Sequence, residues 1–408
     1  MKKNHRTIQR KISFSCILLF LFFVFICEAK SQKEFTGEVI KVNPHEATDF
    51  VNLSEIVDSI KLIPLKTEGN DVIRWTSKLI IKKKYIYVIA VQANKNVLFV
   101  FDKEGKFVSK LNKEPEPDKY FQLGHVFIDD NEEYLERVDG LRNRILKYSI
   151  PSFEFIESAP FPNPIFGVST YSKHDGFYYF GTRQFRNNVG LTIVDSKNNV
   201  KTLFDKSGSD GLFDDIHTVP GESFTKNDKN ELFMYRMFDN NFYRLNAGEV
   251  YPAFTVDFGK YGMDNEHVGS LSTHGQSQYM ANMRDIAAEV HLDINNTDIM
   301  SFSYFFKQEE NERGWFSKTD FRLYLKLKGK IYHTKQIRND LSNFPEIIYL
   351  SATFPSVCSH AVWYEDYLVD VFVPERRFEN KTDKVYVDDI GEITANDNPI
   401  VVMMKLKK

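Results

Sequence analysis

Cysteine is nearly absent from this chain of 408 residues, which has only Cys16, Cys27 and Cys358. Cys16 and Cys27 lie in the N-terminal stretch read below as a signal, so the body keeps only Cys358, which excludes a disulfide within one chain and zinc sites made of paired cysteines. Stability must come from a core, and 42% hydrophobic residues supply one at this length. An excess of one charge is lacking too, since 53 Lys and Arg stand against 56 Asp and Glu with no basic stripe. That argues against nucleic acid and against an acidic membrane surface as partners. Glycine and proline are sparse, at 20 and 14. Local catalytic signatures are missing as well: there is no G-x-S-x-G, no H-E-x-x-H, no phosphate-cradling glycine loop and no EF-hand. No catalytic residue can be named from a motif, and no cofactor or metal is expected.

What is present begins with a basic head, Lys2, Lys3, His5, Arg6, Arg10 and Lys11, before the apolar stretch 17–26. That stretch is shorter than the roughly 20 residues a bilayer requires, and Glu28, Lys30, Gln32 and Lys33 follow it. The pattern is that of a secretory signal, so an exported protein is expected, periplasmic or associated with the outer membrane. Two processing routes fit. Residues 29–31 read A-K-S, a cleavage pattern ending the signal at 31, whereas Cys27 would be the lipidated residue of a lipoprotein signal. Ile26 stands where a lipoprotein signal has a small residue, which favours cleavage. Lipidation would leave a tether of about residues 28–48.

Phenylalanine and tyrosine are abundant, 36 and 20, which suits pleated, half-buried surfaces. A unit recurs about every 40 residues, each with four runs rich in Val, Ile, Phe and Tyr between turns of Asn, Asp, Gly and Lys. The first holds SKLII (77–81), YIYVIAV (85–91), VLFVFD (97–102) and KFVSKL (106–111). The second holds GHVFIDD (124–130), EYLERV (133–138), RILKY (144–148) and FEFIE (153–157). A third spans 165–205, a fourth 214–258, and a fifth carries IMSFSYFF, FRLYLKL and KIYH from 299 to 333. Between the last two, Tyr279, Met280, Met283, Ile286, Ala287 and Val290 recur at helical spacing, predicting a helix over 276–290 within an insert of about 260–297. The sixth unit lacks an outer strand, and residues 59–65 (SIKLIPL) are the segment expected to supply it, Pro64 being tolerated only at a sheet edge. The fold class predicted is all-β, a six-bladed β-propeller of four-stranded blades closed by the N-terminal strand, one domain over 32–408 after a signal at 1–31.

The segment LSEIVDSIKLIPLKT (53–67), the strand and turn FVFDKEGKF (99–107) and the closing DNPIV (397–401) resemble the exported six-bladed propellers of Bacteroides-type bacteria, a domain of unknown function similar in shape to NHL and TolB-like propellers. The resemblance covers nearly all of the chain beyond the signal. It implies the fold and no activity. KEPEPD (113–118) stands where such proteins often carry a glycine-rich turn.

Three local clusters remain. His174 and Asp175, with Asp214, Asp215 and His217, have the types needed to bind a metal or move protons, but they are also what turns are made of. Cys358 and His360 share a strand face as a thiol and base would, but their apolar neighbours Val357, Ala361 and Val362 fit a structural cysteine. The third lies in the loops joining the second and third strands, at 92–96, 139–144, 182–188 and 238–241, rich in Arg, Asn and Gln. Forked donors suit carboxylates and sugar hydroxyls, so Arg142, Arg144, Arg183 and Arg186 are the ligand-binding candidates, with Phe185 to stack on a sugar ring or base.

The expectation is a monomeric binding or scaffold protein recognising a polar small molecule, a glycan or a protein partner of the cell envelope. It would meet no nucleic acid, and a membrane only through a lipid on Cys27. The alternative is a hydrolase or lyase acting on a carbohydrate or lactone, with Asp139, His174, Asp175, Glu222 and Asp239 as the dispersed residues to inspect.

Overall fold

The computed structural model describes residues 37–407 apart from 70, 93–94, 113–122, 124, 141, 161–167, 183–190, 204–223, 236–238, 264–283, 307–320, 345–361 and 379–382. Its strands form six antiparallel four-stranded blades. Blade 1 is Thr76–Ile81, Ile86–Gln92, Lys95–Phe101 and Phe107–Leu111. Blade 2 is Val126–Ile128, Tyr134–Asp139, Arg144–Ser149 and Phe155–Pro160. Blade 3 is Val168–His174, Phe177–Thr182, Leu191–Val194 and Val200–Leu203. Blade 4 is Phe224–Lys226, Leu232–Tyr235, Asn241–Asn246 and Glu249–Asp257. Blade 5 is Ala287–Asn295, Ile299–Phe306, Phe321–Leu327 and Lys330–Thr334. Blade 6 takes Val362–Tyr364, Tyr367–Phe372 and Ile400–Leu406 from the C-terminal part and its outer strand, Val57–Pro64, from the N-terminal part.

Burial explains the strand compositions. The second strand of blade 1 buries five successive residues, Ile86 to Ala90, because neighbouring blades cover both its faces, whereas the outer strand Phe155–Pro160 is exposed throughout. Each of the six blade-to-blade interfaces holds its own apolar cluster. Aromatic rings fill these wedges in pairs, such as Phe242 on Phe254 at 4.4 Å and Phe302 on Tyr324 at 4.7 Å.

The N-terminal segment does more than close the ring. Glu38–Lys41 adds a fifth strand to the edge of blade 4, Thr48 bridges Thr334, and Val51–Asn52 pairs in parallel with Ile337–Arg338 beyond blade 5. A short helix, Leu53–Ile56, then turns the chain into blade 6. Residues 38–48, assigned to a tether from the sequence, are instead strapped to blades 4 and 5.

The inserted helix expected over 276–290 is corrected at its last positions only. Its last positions, Ala287 to Val290, belong to the first strand of blade 5, Gly259–Tyr261 is a 3-10 turn, and 264–283 lie outside the described residues. The cause is the register shifts between Ala288 and His291 and between Leu292 and Ile294, which break the alternation of a flat strand and leave a spacing that mimics a helix.

Gly105, in the last turn of blade 1, fixes how closely the closing strand approaches. Its φ is +82°, and a Cβ there would run into the carbonyl oxygen of Pro64. Gly176 has a similar φ of +79° but open space around it. Gly105→Ala should therefore cost about 3 kcal/mol and Gly176→Ala only about 1 kcal/mol, the left-handed penalty alone, in urea unfolding of the two variants.

Candidate functional site

The up-and-down order of strands gives the ring two chemically different ends. Turns between first and second strands, and between third and fourth, share one end and run from two residues (175–176) to five (129–133). The opposite end receives the connections between second and third strands and those between blades. These include 65–75, 204–223, 258–286, 339–361 and 373–399, so most of the chain outside strands joins strand ends there. The two are called the hairpin end and the mouth end below.

Side chains from three blades meet across the hairpin end. Asp130 of blade 2 lies 3.0 Å from Lys82 Nζ of blade 1 and 3.6 Å from Lys226 Nζ of blade 4, so the pair with Lys226 passes over blade 3. Burial opposes the charge on Asp130, but the two lysines outweigh it and hold the carboxyl below its usual range. Burial pulls Lys226 down, and Asp130 restores only part of the loss. Adjacent hairpins are laced as well: Lys84 N–H donates to Glu132 Oε2 at 2.7 Å, Asp228 N–H to Asn296 Oδ1 at 2.9 Å and Thr297 N–H to Asp228 Oδ2 at 3.2 Å. His174 is also here, its Nε2 3.1 Å from Asp175 Oδ2, with burial lowering its pKa.

At the mouth end, Asp139 closes the second strand of blade 2 and is itself buried. Its Oδ2 accepts from Arg142 Nη1 at 3.2 Å and Arg144 Nε at 3.1 Å. The turn passes through Asn143 at φ +52°, which sets both arginines on the same carboxylate. Their exposures differ, 41% for the Arg142 side chain and 17% for Arg144, so Arg142 is the guanidinium presented to solvent. Arg183, Phe185 and Arg186 lie outside the described residues, as do Asp214, Asp215, His217, Glu222, Cys358 and His360. Asp239 accepts from Asn241 Nδ2 at 2.7 Å and Tyr243 Oη at 2.9 Å, a turn-forming role. Of the dispersed residues named for catalysis, Asp139 and Asp239 are thus at the mouth end, and His174 and Asp175 at the other.

Two features of the mouth end carry no sequence signal. Trp75, one residue before the innermost strand of blade 1, keeps 41% of its surface in solvent. Beside it, Arg74 Nη1 lies 3.0 Å from Glu375 Oε1, on the short helix Pro374–Arg377 between the second and third strands of blade 6.

Three groups in blade 5 titrate far from their ordinary values. Burial lowers His291 to about 4, its Nδ1 3.0 Å from Tyr235 Oη, and lowers His333 to about 4, its Nε2 2.6 Å from Tyr304 Oη. Burial raises Asp293, on the innermost strand, to about 7, although Ser301 at 3.0 Å and Ser303 at 3.4 Å donate to it. The histidines contribute stability that is complete above pH 6.5 and lost as pH falls through about 4. Asp293 works the other way: its contribution is complete below pH 3.8 and lost as pH rises through about 7. Asp293→Asn should therefore gain on the wild type steadily from pH 4 to pH 7 in urea unfolding, and parallel curves for the two proteins would contradict this.

A family model described as a domain of unknown function, DUF4934, matches residues 37–405. Among solved structures, a Bacteroides fragilis protein whose description proposes export is 18% identical, with a TM-score of 0.67 over 91% of this chain and 100% of its own. A DUF4221 family member from Bacteroides vulgatus is 10% identical, with a TM-score of 0.47 over 86% and 97%. Virginiamycin B lyase of Staphylococcus aureus is 11% identical, with a TM-score of 0.40 over 86% and 99%. The first likeness is one of fold, and the other two are too distant to carry an argument. No curated protein matches the sequence.

Proposed function

Since the chain belongs to the DUF4934 family, a domain of unknown function whose match spans residues 37–405 and so all six blades, we propose from its own geometry that it is an exported propeller that recognises a polar ligand at its mouth end. The ligand class is a glycan or an anionic small molecule, with a protein partner of the envelope as the macromolecular equivalent. The observation that carries this reading is the asymmetry of the ring. Short hairpins laced by ion pairs occupy one end, while the long connections belong to the other, where the short turn between Asp139 and Arg144 also presents Arg142. Recognition residues sit on such loops because rigid blades position them without constraining their sequence. Export is supported by the basic head and apolar stretch 17–26, and by the description of the Bacteroides fragilis structure.

The hydrolase or lyase reading has one observation in its favour, the Asp293 carboxyl raised to about 7 on an innermost strand, where it holds a proton near neutral pH. Turnover of a glycan or lactone lost in Asp293→Asn would move the assignment there.

Thermal-shift screening of acidic and neutral oligosaccharides is the test. A true ligand at about 100-fold excess over its Kd should raise the Tm by about 3 °C. Arg142→Ala should cut that shift for an acidic ligand by more than half without changing the Tm of the unliganded protein. No shift with any oligosaccharide would remove the glycan reading.

A further inference from the structure

We infer that the outer face of the hairpin inserted in blade 6 is a platform for a neutral sugar, with the Tyr386 ring stacking on a pyranose face and the Lys384–Glu392 pair bonding its hydroxyls. The inference rests on the mouth-end reading above and names its substrate class, a neutral oligosaccharide.

The hairpin pairs Lys384–Val387 with Gly391–Thr394 inside the connection 373–399, and so belongs to the mouth end. Side chains alternate across such a ladder. Val387 and Ile393 point inward, joining Phe344 and Phe372 in the apolar cluster between blades 5 and 6, and Val385 packs against that cluster. The other face turns to solvent, where Tyr386 is the most exposed large hydrophobic residue among those described, at 65%. The backbone behind it is held. Asn343 Nδ2 donates at 3.3 Å to both the Tyr386 carbonyl and Asp388 Oδ1, and Ile390 N–H closes the turn onto the Val387 carbonyl at 3.2 Å. A ring carried on a pinned strand loses little freedom when a ligand covers it.

Register places the polar groups beside the ring. Glu392 is directly opposite Tyr386, a position at which Cβ atoms are about 5 Å apart. Lys384 is two residues from Tyr386 on the same strand and so shares its face. Lys384 Nζ crosses to Glu392 Oε2 at 2.9 Å, and both side chains stay more than half exposed, at 63% and 53%. That pairing selects the ligand. One ammonium and one carboxylate cancel, so the face holds no net charge to attract an anion, yet it keeps a donor and an acceptor beside a flat ring. A protein-docking patch would be a contiguous apolar area instead. A sugar presents the matching combination, an apolar C–H face edged with hydroxyls that donate and accept.

The test is calorimetric titration of the full mature chain with xylohexaose, mannohexaose and maltohexaose, and separately with hexagalacturonic acid. At least one neutral hexasaccharide should bind. Tyr386→Ala should weaken it about tenfold, the scale of one aromatic contact. Tyr386→Phe should keep most of the affinity, because the ring does the stacking, and both variants should melt with the wild type. A neutral ligand bound equally well by Tyr386→Ala would overturn the platform and leave the mouth-end reading standing. Binding of hexagalacturonic acid alone would do the same. Binding of none of the four would remove the platform together with the glycan reading.

Discussion

The outer strand of blade 6 comes from the opposite end of the sequence, and every blade depends on that pairing. Its ladder runs from Pro64 opposite Ile400 to Val57 opposite Leu406. Without it, the third strand of blade 6 would be an open edge and the interface with blade 1 would lose Ile63 and Leu65 from its apolar cluster. The partners are more than 300 residues apart, so this contact closes the largest loop in the molecule and is made at the highest entropic cost. The strap along blades 4 and 5 reduces that cost, because Thr48, Val51 and Asn52 bring Val57 to the edge it must fill.

Closing the ring also divides the labour between its ends. With blades fixed by their apolar interfaces, the short turns become a rigid base in which Lys82, Asp130 and Lys226 meet across three blades. The opposite connections can vary in length without disturbing a strand. Variation in those connections is thereby separated from the stability of the ring.

How much could be read beforehand followed from how local each feature is. The blades were legible because inner strands covered on both faces read as apolar runs, and Pro64 marked its strand as an edge. The strap was not legible, since strands as short as Glu38–Lys41 and Val51–Asn52 carry no period. The start of blade 5 was misread because bulges gave Ala287 and Val290 a helical spacing. The position of Arg142 and Arg144 at the mouth end could be read because they flank one short turn between two clear strands, whereas their pairing with Asp139 depends on the turn geometry at Asn143. Trp75 lies in an irregular segment where a lone aromatic gives no pattern, and the cluster at Asp130 joins residues 48 and 96 positions away, beyond the reach of any local motif.

The geometry of the clasp also says where tension on the chain would be felt. Val57 and Leu406 are opposite each other, and Lys407 N–H continues the ladder to the carbonyl of Ile56. The strand Ile400–Leu406 pairs on its other side with Tyr367–Phe372, so tension on the C-terminus has two ladders to open together. Tension from the N-terminal side reaches the clasp only after the strap has left blades 4 and 5. Each end of the chain thus guards the seam that the other completes.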